Sequence, residues 1–348
     1  MKILITGGAG FIGSNFTQYW LREHPADAAV VVDKLTYAGN LRNLEPVRAD
    51  PRFQFVRMDI CDPELLDVVR DCDAIVNFAA ESHVDRSIVE SAADFVRSNV
   101  EGTFHLLECC RVARISRFLQ ISTDEVYGSL GPQGRFTESN PLAPNSPYAA
   151  TKASADLLVL ADVHTHRTPA VITRCSNNYG PCQFPEKFIP LMVAQALAGE
   201  PLPVYGDGKN IRDWIHVEDH CRAIDLVLRQ GREGEIYNIG GDCEMENIEV
   251  AWRILDTMGR SRELVRFVTD RPGHDRRYAI NCQKLKSELC WAQRWNFDAG
   301  LASTIRWYKS NTTWLDEVRS GAYREYFARH YDDREVTLAR LRPSSTDK

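Results

Sequence analysis

Short apolar runs recur along the first 175 residues, separated by stretches in which apolar positions return every three or four residues. The runs read KILIT, AAVVVD, FQFVRMD, AIVNFAA, FLQIST and AVITRC. Strands covered by helices on both faces are continuously apolar rather than alternating. Strands that alternate with helices of ten or more residues build βαβ units, so the pattern predicts a parallel, doubly wound α/β sheet over residues 1–173. From Arg174 onward Pro and Gly become frequent (GPCQFPEKFIP, GEPLPVYGDG, RPGHD). These breakers predict a second, smaller mixed α/β lobe over 174–331. The helical stretch Val217–Gln230 and the strand-like EIYNIGG predict a return of 217–241 to the first sheet. The polar residues 332–348 predict a loosely held tail.

Composition narrows the function classes. The 348 residues are 44% hydrophobic and 26% charged, the range of an ordinary globular protein rather than a disordered or collagenous one. A net charge of −6 supplies no basic field for a polynucleotide, so no nucleic-acid partner is expected. No apolar run approaches the roughly 20 residues that span a bilayer, and no leader precedes the strand at Lys2, which predicts a cytoplasmic protein without membrane partners. Ten cysteines lack CxxC pairs or zinc spacing, so neither a disulfide framework nor a metal site is expected. Cys109 and Cys110 read as packing residues of a helix.

The first candidate chemistry is GGAGFIG. Gly7, Gly10 and Gly13 recur every three residues, directly after a strand and where a helix opens at about Phe11. Such glycines let the backbone turn tightly and approach a pyrophosphate, whose charge is met by amides at the helix N-terminus. Asp33 closes the second strand twenty positions after Gly13, where a ribose-binding carboxylate is expected. That carboxylate repels a 2′-phosphate and predicts NAD rather than NADP, a preference Lys34 weakens. The first 173 residues are therefore expected to be a Rossmann-type NAD-binding domain. Phe11, Ile12, Leu35 and Thr36 flank the two motifs and belong to the expected cofactor lining. The third strand ends in Met58, Asp59 and Ile60, where Asp59 can bond the adenine amino group or cap a turn. The fourth ends in NFAAESH, whose small Ala79 and Ala80 let a cofactor lie close.

The second is catalytic. Tyr148 and Lys152 stand four apart in SPYAATKASADLLVLA, so both side chains share one helix face. Bringing a tyrosine from a pKa of about 10 to near 7 takes roughly 4 kcal/mol. A lysine at about 4 Å in an effective dielectric near 20 supplies that order of energy, and a positive nicotinamide adds to it. In FLQISTDEVYG the strand stops at Ile121, so Thr123, Asp124 and Glu125 fall at its carboxyl end, where open α/β sheets bind ligands. Neighbouring carboxyls push one pKa up, leaving one group an acid and the other a base. Alternatively, Asp124 caps a turn and Glu125 is solvated.

GGAGFIG, DKLTYAGNL, AAESHVDRS, STDEVYG, YAATK, SNNYGP, FPEKFIPL, IRDWIHVEDH and RPGHDRRYAI together resemble the dTDP-glucose 4,6-dehydratases, a family of extended short-chain dehydrogenase/reductases. The resemblance runs from Met1 to about Tyr331. It implies that Tyr148, helped by Thr123 and Lys152, takes the proton of the 4-hydroxyl while NAD accepts two electrons from carbon 4. Glu125 then removes the carbon-5 proton, Asp124 protonates the departing 6-hydroxyl, and the electrons return to carbon 6. It also implies a dTDP-sugar substrate held by Ser82, Thr123, Asn177, Lys187, Arg212, Asn247, Arg271 and His274, and a homodimer formed through VEGTFHLLECCRVA and ADLLVLA, although an ordinary buried helix reads alike. Arg276 and Arg277 leave open which of them points inward. Three positions depart from the family pattern: Asn99, expected beside the cofactor, where Thr is frequent; Thr151, where Ser is; and Cys182, where an aromatic is. A UDP- or GDP-sugar dehydratase and a sugar-nucleotide 4-epimerase are the alternative enzymes. An epimerase needs no acid for a leaving hydroxyl, so the acid pair favours dehydration. A catalytically silent NAD-binding sensor would have no use for all five of Thr123, Asp124, Glu125, Tyr148 and Lys152.

Overall fold

The computed structural model describes residues 1–320, 322–332, 334, 337 and 338. Its centre is a parallel seven-stranded sheet in the order β3-β2-β1-β4-β5-β6-β10. The strands are β1 (Lys2–Thr6), β2 (Ala28–Asp33), β3 (Phe53–Arg57), β4 (Ala74–Asn77), β5 (Arg117–Thr123), β6 (Ala170–Cys175) and β10 (Ile236–Ile239). Central strands are buried along both faces, as β4 and β6 are throughout, which is why their sequences run apolar without alternation. One apolar layer holds Ile3, Ile5, Phe16, Val31 and Val76; the opposite layer holds Leu4, Val30, Ile75, Phe118 and Ile172. Helices α1 (Phe11–Glu23) and α8 (Val217–Gln230) bury Phe16, Trp20, Cys221 and Ile224 on the first. The second is covered by α2 (Leu65–Val69), α5 (Gly102–Ala113) and α6 (Pro147–His166). Between α2 and α5 lie the short helices α3 (Val84–Val89) and α4 (Ala93–Phe95).

β10 joins the sheet by pairing with β6 in the register Ile236↔Ile172 to Ile239↔Cys175. Residues beyond β6 otherwise form two small sheets: β7 (Asn177–Tyr179), β9 (Ile211–His216) and β11 (Glu244–Glu246) in one, β8 (Leu202–Tyr205) and β12 (Val265–Val268) in the other. With α7 (Phe188–Ala198), α9 (Asn247–Met258) and the helix Phe297–Ser310 they enclose their own core around Met192, Val250, Ile254, Leu301 and Tyr308.

Of the expected tail, 333, 335, 336 and 339–348 lie outside the described residues. Within it, Arg334 is buried: its guanidinium bonds the carbonyl oxygens of Thr269 and His330 and lies 4.2 Å from the centroid of the Tyr205 ring. All ten cysteines are free, seven of them buried. Among the described residues no helix is long and apolar enough to cross a membrane.

Candidate active site

Two cavities lie at the carboxyl ends of the central strands and share Glu125, Asn177 and Lys187 in their walls. The first gathers Gly7, Gly10, Phe11, Ile12 and Gly13 from the first turn, Asp33, Lys34 and Thr36 after β2, Asp59 and Ile60 after β3, and Ala79, Ala80 and Ser82 after β4. Thr123, Asp124, Glu125, Tyr148 and Lys152 line the same cavity.

The glycines have to be glycines. Gly7 sits at φ +66°, and a Cβ there would lie 2.6 Å from the Ala79 nitrogen; a Cβ on Gly13 would lie 2.4 Å from the Gly7 oxygen. Helix α1 starts without a side-chain cap or an acidic residue in its first turn, so its leading amides are left for an anion. Asp33 Oδ2 accepts the Ala9 N–H at 3.0 Å and Oδ1 accepts the Leu35 N–H at 2.8 Å, which holds the carboxylate at the end of β2. Lys34 Nζ lies 3.7 Å from Asp59 Oδ2 and donates to Ser98 Oγ, so its charge is drawn towards Asp59. This cradle fits NAD: amides for a pyrophosphate, then a carboxylate where a ribose diol would donate.

Two expected cofactor residues do not line the cavity. Asn99 donates to the Glu81 oxygen at 3.0 Å and to Thr151 Oγ1 at 2.9 Å, and its own oxygen accepts the Glu81 N–H at 2.9 Å. Its amide is fully engaged in joining the loop after β4 to α6. The two departures Asn99 and Thr151 are thus partners of one another. Leu35, at φ +58°, packs its side chain against the core while its backbone N–H serves Asp33.

Ser146 starts α6, its Oγ accepting the Ala149 N–H at 3.1 Å, with Pro147 at the first helical position, the pairing that favours an N-terminus. Tyr148 and Lys152 therefore emerge one turn apart, both buried. Lys152 Nζ donates to the Ile121 oxygen at 2.7 Å. Around Tyr148 the side chains of the protein alone push the other way from the expected lowering. Burial and the charge of Glu125 push the phenol well above its ordinary range, opposed by a bond from Thr123, while burial lowers the pKa of Lys152 itself. The ammonium is anchored on a backbone carbonyl and keeps two further N–H groups, and a positive charge entering the cavity would add its push towards phenolate to that of the lysine.

β5 ends in a tight 3-10 turn over Asp124–Tyr127, and its cap is Thr123, whose Oγ1 accepts the Glu125 N–H at 3.3 Å. Capping by Thr123 frees Asp124 from that task. Asp124 Oδ2 is buried without a hydrogen-bond partner. Burial, then the charges of Glu125 and Asp213, push its carboxyl well up, against Arg212 and a bond that the Thr123 hydroxyl donates to Oδ1 at 3.4 Å. Burial raises Glu125 as well, but Arg271, Lys187 and Arg212 all act to keep it charged. The pair is therefore split, with Asp124 pushed further towards the protonated form than Glu125.

The second cavity is lined by Asn177, Lys187, Arg212, Asn247, Arg271 and His274, all expected, and by His83, Asp85, Tyr205, Trp214, Tyr278 and Tyr331, which sequence reasoning missed. Arg271 Nη1 lies 3.2 Å from Asp85 Oδ1 while its Nε is buried without a partner. Arg212 is buried over the Tyr278 ring, 4.3 Å from its centroid, and donates to the Asp275 oxygen at 2.9 Å. Lys187 Nζ donates to the Ser82 oxygen at 2.6 Å, Asn247 Oδ1 is buried without a partner, and His274 Nδ1 is 2.6 Å from Asp270 Oδ1. Three cations and several aromatic rings, Tyr205 and Tyr331 among them, in one cavity suit a nucleoside diphosphate. Neither Arg276, paired with Asp207 at the surface, nor Arg277, paired with Glu244, lines it. Asp85 stands in AAESHVDRS, so that motif held a signal; nothing local marks Tyr205 or Tyr331.

The family model described as GDP-mannose 4,6 dehydratase matches residues 4–304. The dTDP-glucose 4,6-dehydratase of Streptomyces niveus is 52% identical over 325 residues, covering 92% of this chain and 96% of that one. The solved dTDP-glucose 4,6-dehydratase of Streptomyces venezuelae, with NAD and dTDP bound, superposes with a TM-score of 0.89 at 52% identity, covering 91% and 100%. A UDP-glucuronic acid 4-epimerase of Bacillus cereus, in complex with UDP-glucuronic acid and NAD, has a TM-score of 0.84 at 29% identity, covering 89% and 99%.

Proposed function

The chain belongs to the GDP-mannose 4,6-dehydratase family, and with relatives 52% identical along nearly its whole length we infer that it is a dTDP-glucose 4,6-dehydratase. It converts dTDP-glucose to dTDP-4-keto-6-deoxy-glucose and water. The observation that carries this reading is the pair Asp124 and Glu125 in one cavity with Tyr148, since only elimination needs an acid for a leaving hydroxyl. The preference for a dTDP over a UDP or GDP sugar rests on the relatives.

Bound NAD supplies the two-electron acceptor for oxidation at carbon 4 and the donor for reduction at carbon 6. The amides at the start of α1 hold its pyrophosphate and Asp33 its ribose. Lys187, Arg212 and Arg271 hold the substrate diphosphate, with Asn177, Asn247, His274 and Ser82 beside it. Tyr148 removes the 4-hydroxyl proton; Thr123 bonds the phenol and Lys152 fixes the near side of the cavity. A ketone at carbon 4 acidifies carbon 5, whose proton Glu125 takes. Asp124 gives its proton to the 6-hydroxyl, which leaves as water. A proton returned at carbon 5 completes a cycle without net redox change.

Residues 1–173 with 217–241 form the NAD-binding part in this reading, and 174–331 the nucleotide-sugar part. Phe104 and Val112 on α5 and Leu157 on α6 are 49%, 62% and 57% exposed, an apolar face suited to pairing with a second copy across a two-fold axis. The reaction is placed in the cytoplasm, where free thiols stay reduced. The test is dTDP-glucose deuterated at carbon 4. Deuterium finishing on carbon 6 of a keto-deoxy product supports the cycle. Deuterium kept at carbon 4, or released in free reduced nucleotide, rejects it.

A further inference from the structure

The loop after β2 contributes Lys34, Thr36, Ala38 and Gly39 to the cofactor cavity. Its backbone is tied at both ends, by the Leu35 N–H on Asp33 and the Asn40 N–H on the Ala9 oxygen at 3.0 Å. Between those ties Tyr37 carries its ring away from the cavity, onto Arg86 of α3. The Arg86 guanidinium lies 4.0 Å from the Tyr37 centroid and 4.6 Å from that of Tyr326 in the helix Ala322–Phe327. Its Nε donates to Glu186 Oε2 at 3.0 Å, and Glu186 precedes Lys187 of the substrate cavity. Tyr37 also meets Phe184 of that same segment edge-on, with centroids 5.7 Å apart. Arg86 and Glu186 are 14% and 2% exposed. One planar cation thus joins four segments: the cofactor loop, α3, the FPEK segment and the C-terminal helix.

None of this touches the reacting atoms, yet all of it bears on whether the cofactor wall can open. We propose that Arg86 and Tyr37 form a latch that keeps the 34–39 loop closed over NAD and so sets how slowly the cofactor escapes. This rests on the dehydratase reading, which demands such a device: the nicotinamide that takes electrons from carbon 4 must still be present to return them to carbon 6. A planar guanidinium between two ring faces, with its edge on a buried carboxylate, makes contacts that a lysine ammonium reproduces poorly.

The test measures cofactor retention. Wild-type protein and the variants Tyr37→Leu, Tyr37→Phe and Arg86→Lys are loaded with NAD, desalted and incubated with an NAD-trapping enzyme. The NAD left per protomer is assayed over time after acid extraction. Tyr37→Leu removes the ring without stranding a buried charge and should lose NAD about tenfold faster, the effect expected for one desolvated stacked cation. Arg86→Lys should also lose it faster, whereas Tyr37→Phe, which keeps the ring on Arg86 and gives up only the bond of its hydroxyl to Glu186, should lose it more slowly than Tyr37→Leu. With NAD saturating, kcat should stay within about twofold of wild type. Unchanged retention in Tyr37→Leu and Arg86→Lys, with thermal unfolding intact, overturns the latch and leaves the dehydratase reading standing; if Arg86→Lys does not fold, Tyr37→Leu decides. An equal fall in kcat at saturating NAD also overturns it, because the residues would then act on the chemistry. Wild-type protein that neither carries nor binds NAD brings down the dehydratase reading and the latch with it.

Discussion

Replacing Asp124 by Asn should split the reaction into its halves. The side chain is 2% exposed, and burial with the charges of Glu125 and Asp213 pushes its carboxyl well above the ordinary range, towards the protonated form. Asn matches that uncharged group in size and polarity, so the cavity should keep its shape. What disappears is the transferable proton. Loss of a general acid costs about 10² to 10⁴ in rate, or roughly 3–5 kcal/mol. Oxidation at carbon 4, which the proposed mechanism assigns to Tyr148 with Thr123 and Lys152, should stay within about tenfold of wild type. Rapid mixing with dTDP-glucose, read at 340 nm for reduced cofactor and by quench for keto-deoxy product, should show reduced cofactor accumulating on the variant. Tyr148→Phe should give neither signal. If Asp124→Asn slows both signals equally, with fold and nucleotide binding intact, the division of roles is refuted.

The same burial sets a pH dependence of stability. A carboxyl whose folded pKa lies above the unfolded value of about 3.9 keeps a proton that the unfolded chain has released. It therefore opposes folding increasingly above pH 4, by about 1.4 kcal/mol per pH unit up to its folded midpoint. Asp124→Asn removes that opposition. Its melting temperature should exceed that of wild type at pH 7 and converge with it as the pH falls towards 4. A variant less stable than wild type at pH 7 would mean that Asp124 is ionised in the folded site.

Other expectations follow from the two lobes. Arg271→Met should weaken dTDP binding about 10- to 100-fold by calorimetry, the loss of one charge-assisted contact, whereas Arg276→Ala, which breaks only a surface pair with Asp207, should change it less than about threefold. Equal effects would mean that the cations of the second cavity are misassigned. Phe104→Glu with Leu157→Glu puts charge on the exposed apolar face and, if the proposed dimer forms there, should shift sedimentation from dimer to monomer; an unchanged species would exclude that face as the interface.

Some of this architecture was legible because it is written contiguously. Each of the six runs became a strand of the central sheet, since parallel strands under two helical layers must be apolar throughout. GGAGFIG needs only its own backbone and Asp33 to make sense. The nucleotide end is different: Asp85, Tyr205 and Tyr331 arrive from α3, β8 and the C-terminal segment, and no local spacing announces their meeting. Asn99 misled for a related reason. The family pattern put it beside the cofactor, but the fold gave every polar atom of its amide to Glu81 and Thr151. The direction of the Tyr148 shift was hidden too, because it is set by burial and by the charge of Glu125 from the turn after β5, which a helix-face pattern does not contain.

The acid pair marks where sequence pattern and backbone geometry meet. Along a regular strand Asp124 and Glu125 would point to opposite faces, and only one could reach the cavity. The tight turn at Asp124–Tyr127 ends that alternation, and it holds because Thr123 supplies the cap. Had Asp124 been the cap, its carboxylate would have been held ionised by a backbone N–H, the wrong state for an acid. Thr123 therefore pulls two ways. Its oxygen takes the backbone N–H that would otherwise hold the neighbouring carboxylate ionised, while its own hydroxyl donates to Asp124 Oδ1 at 3.4 Å, a bond that works against the upward push of burial.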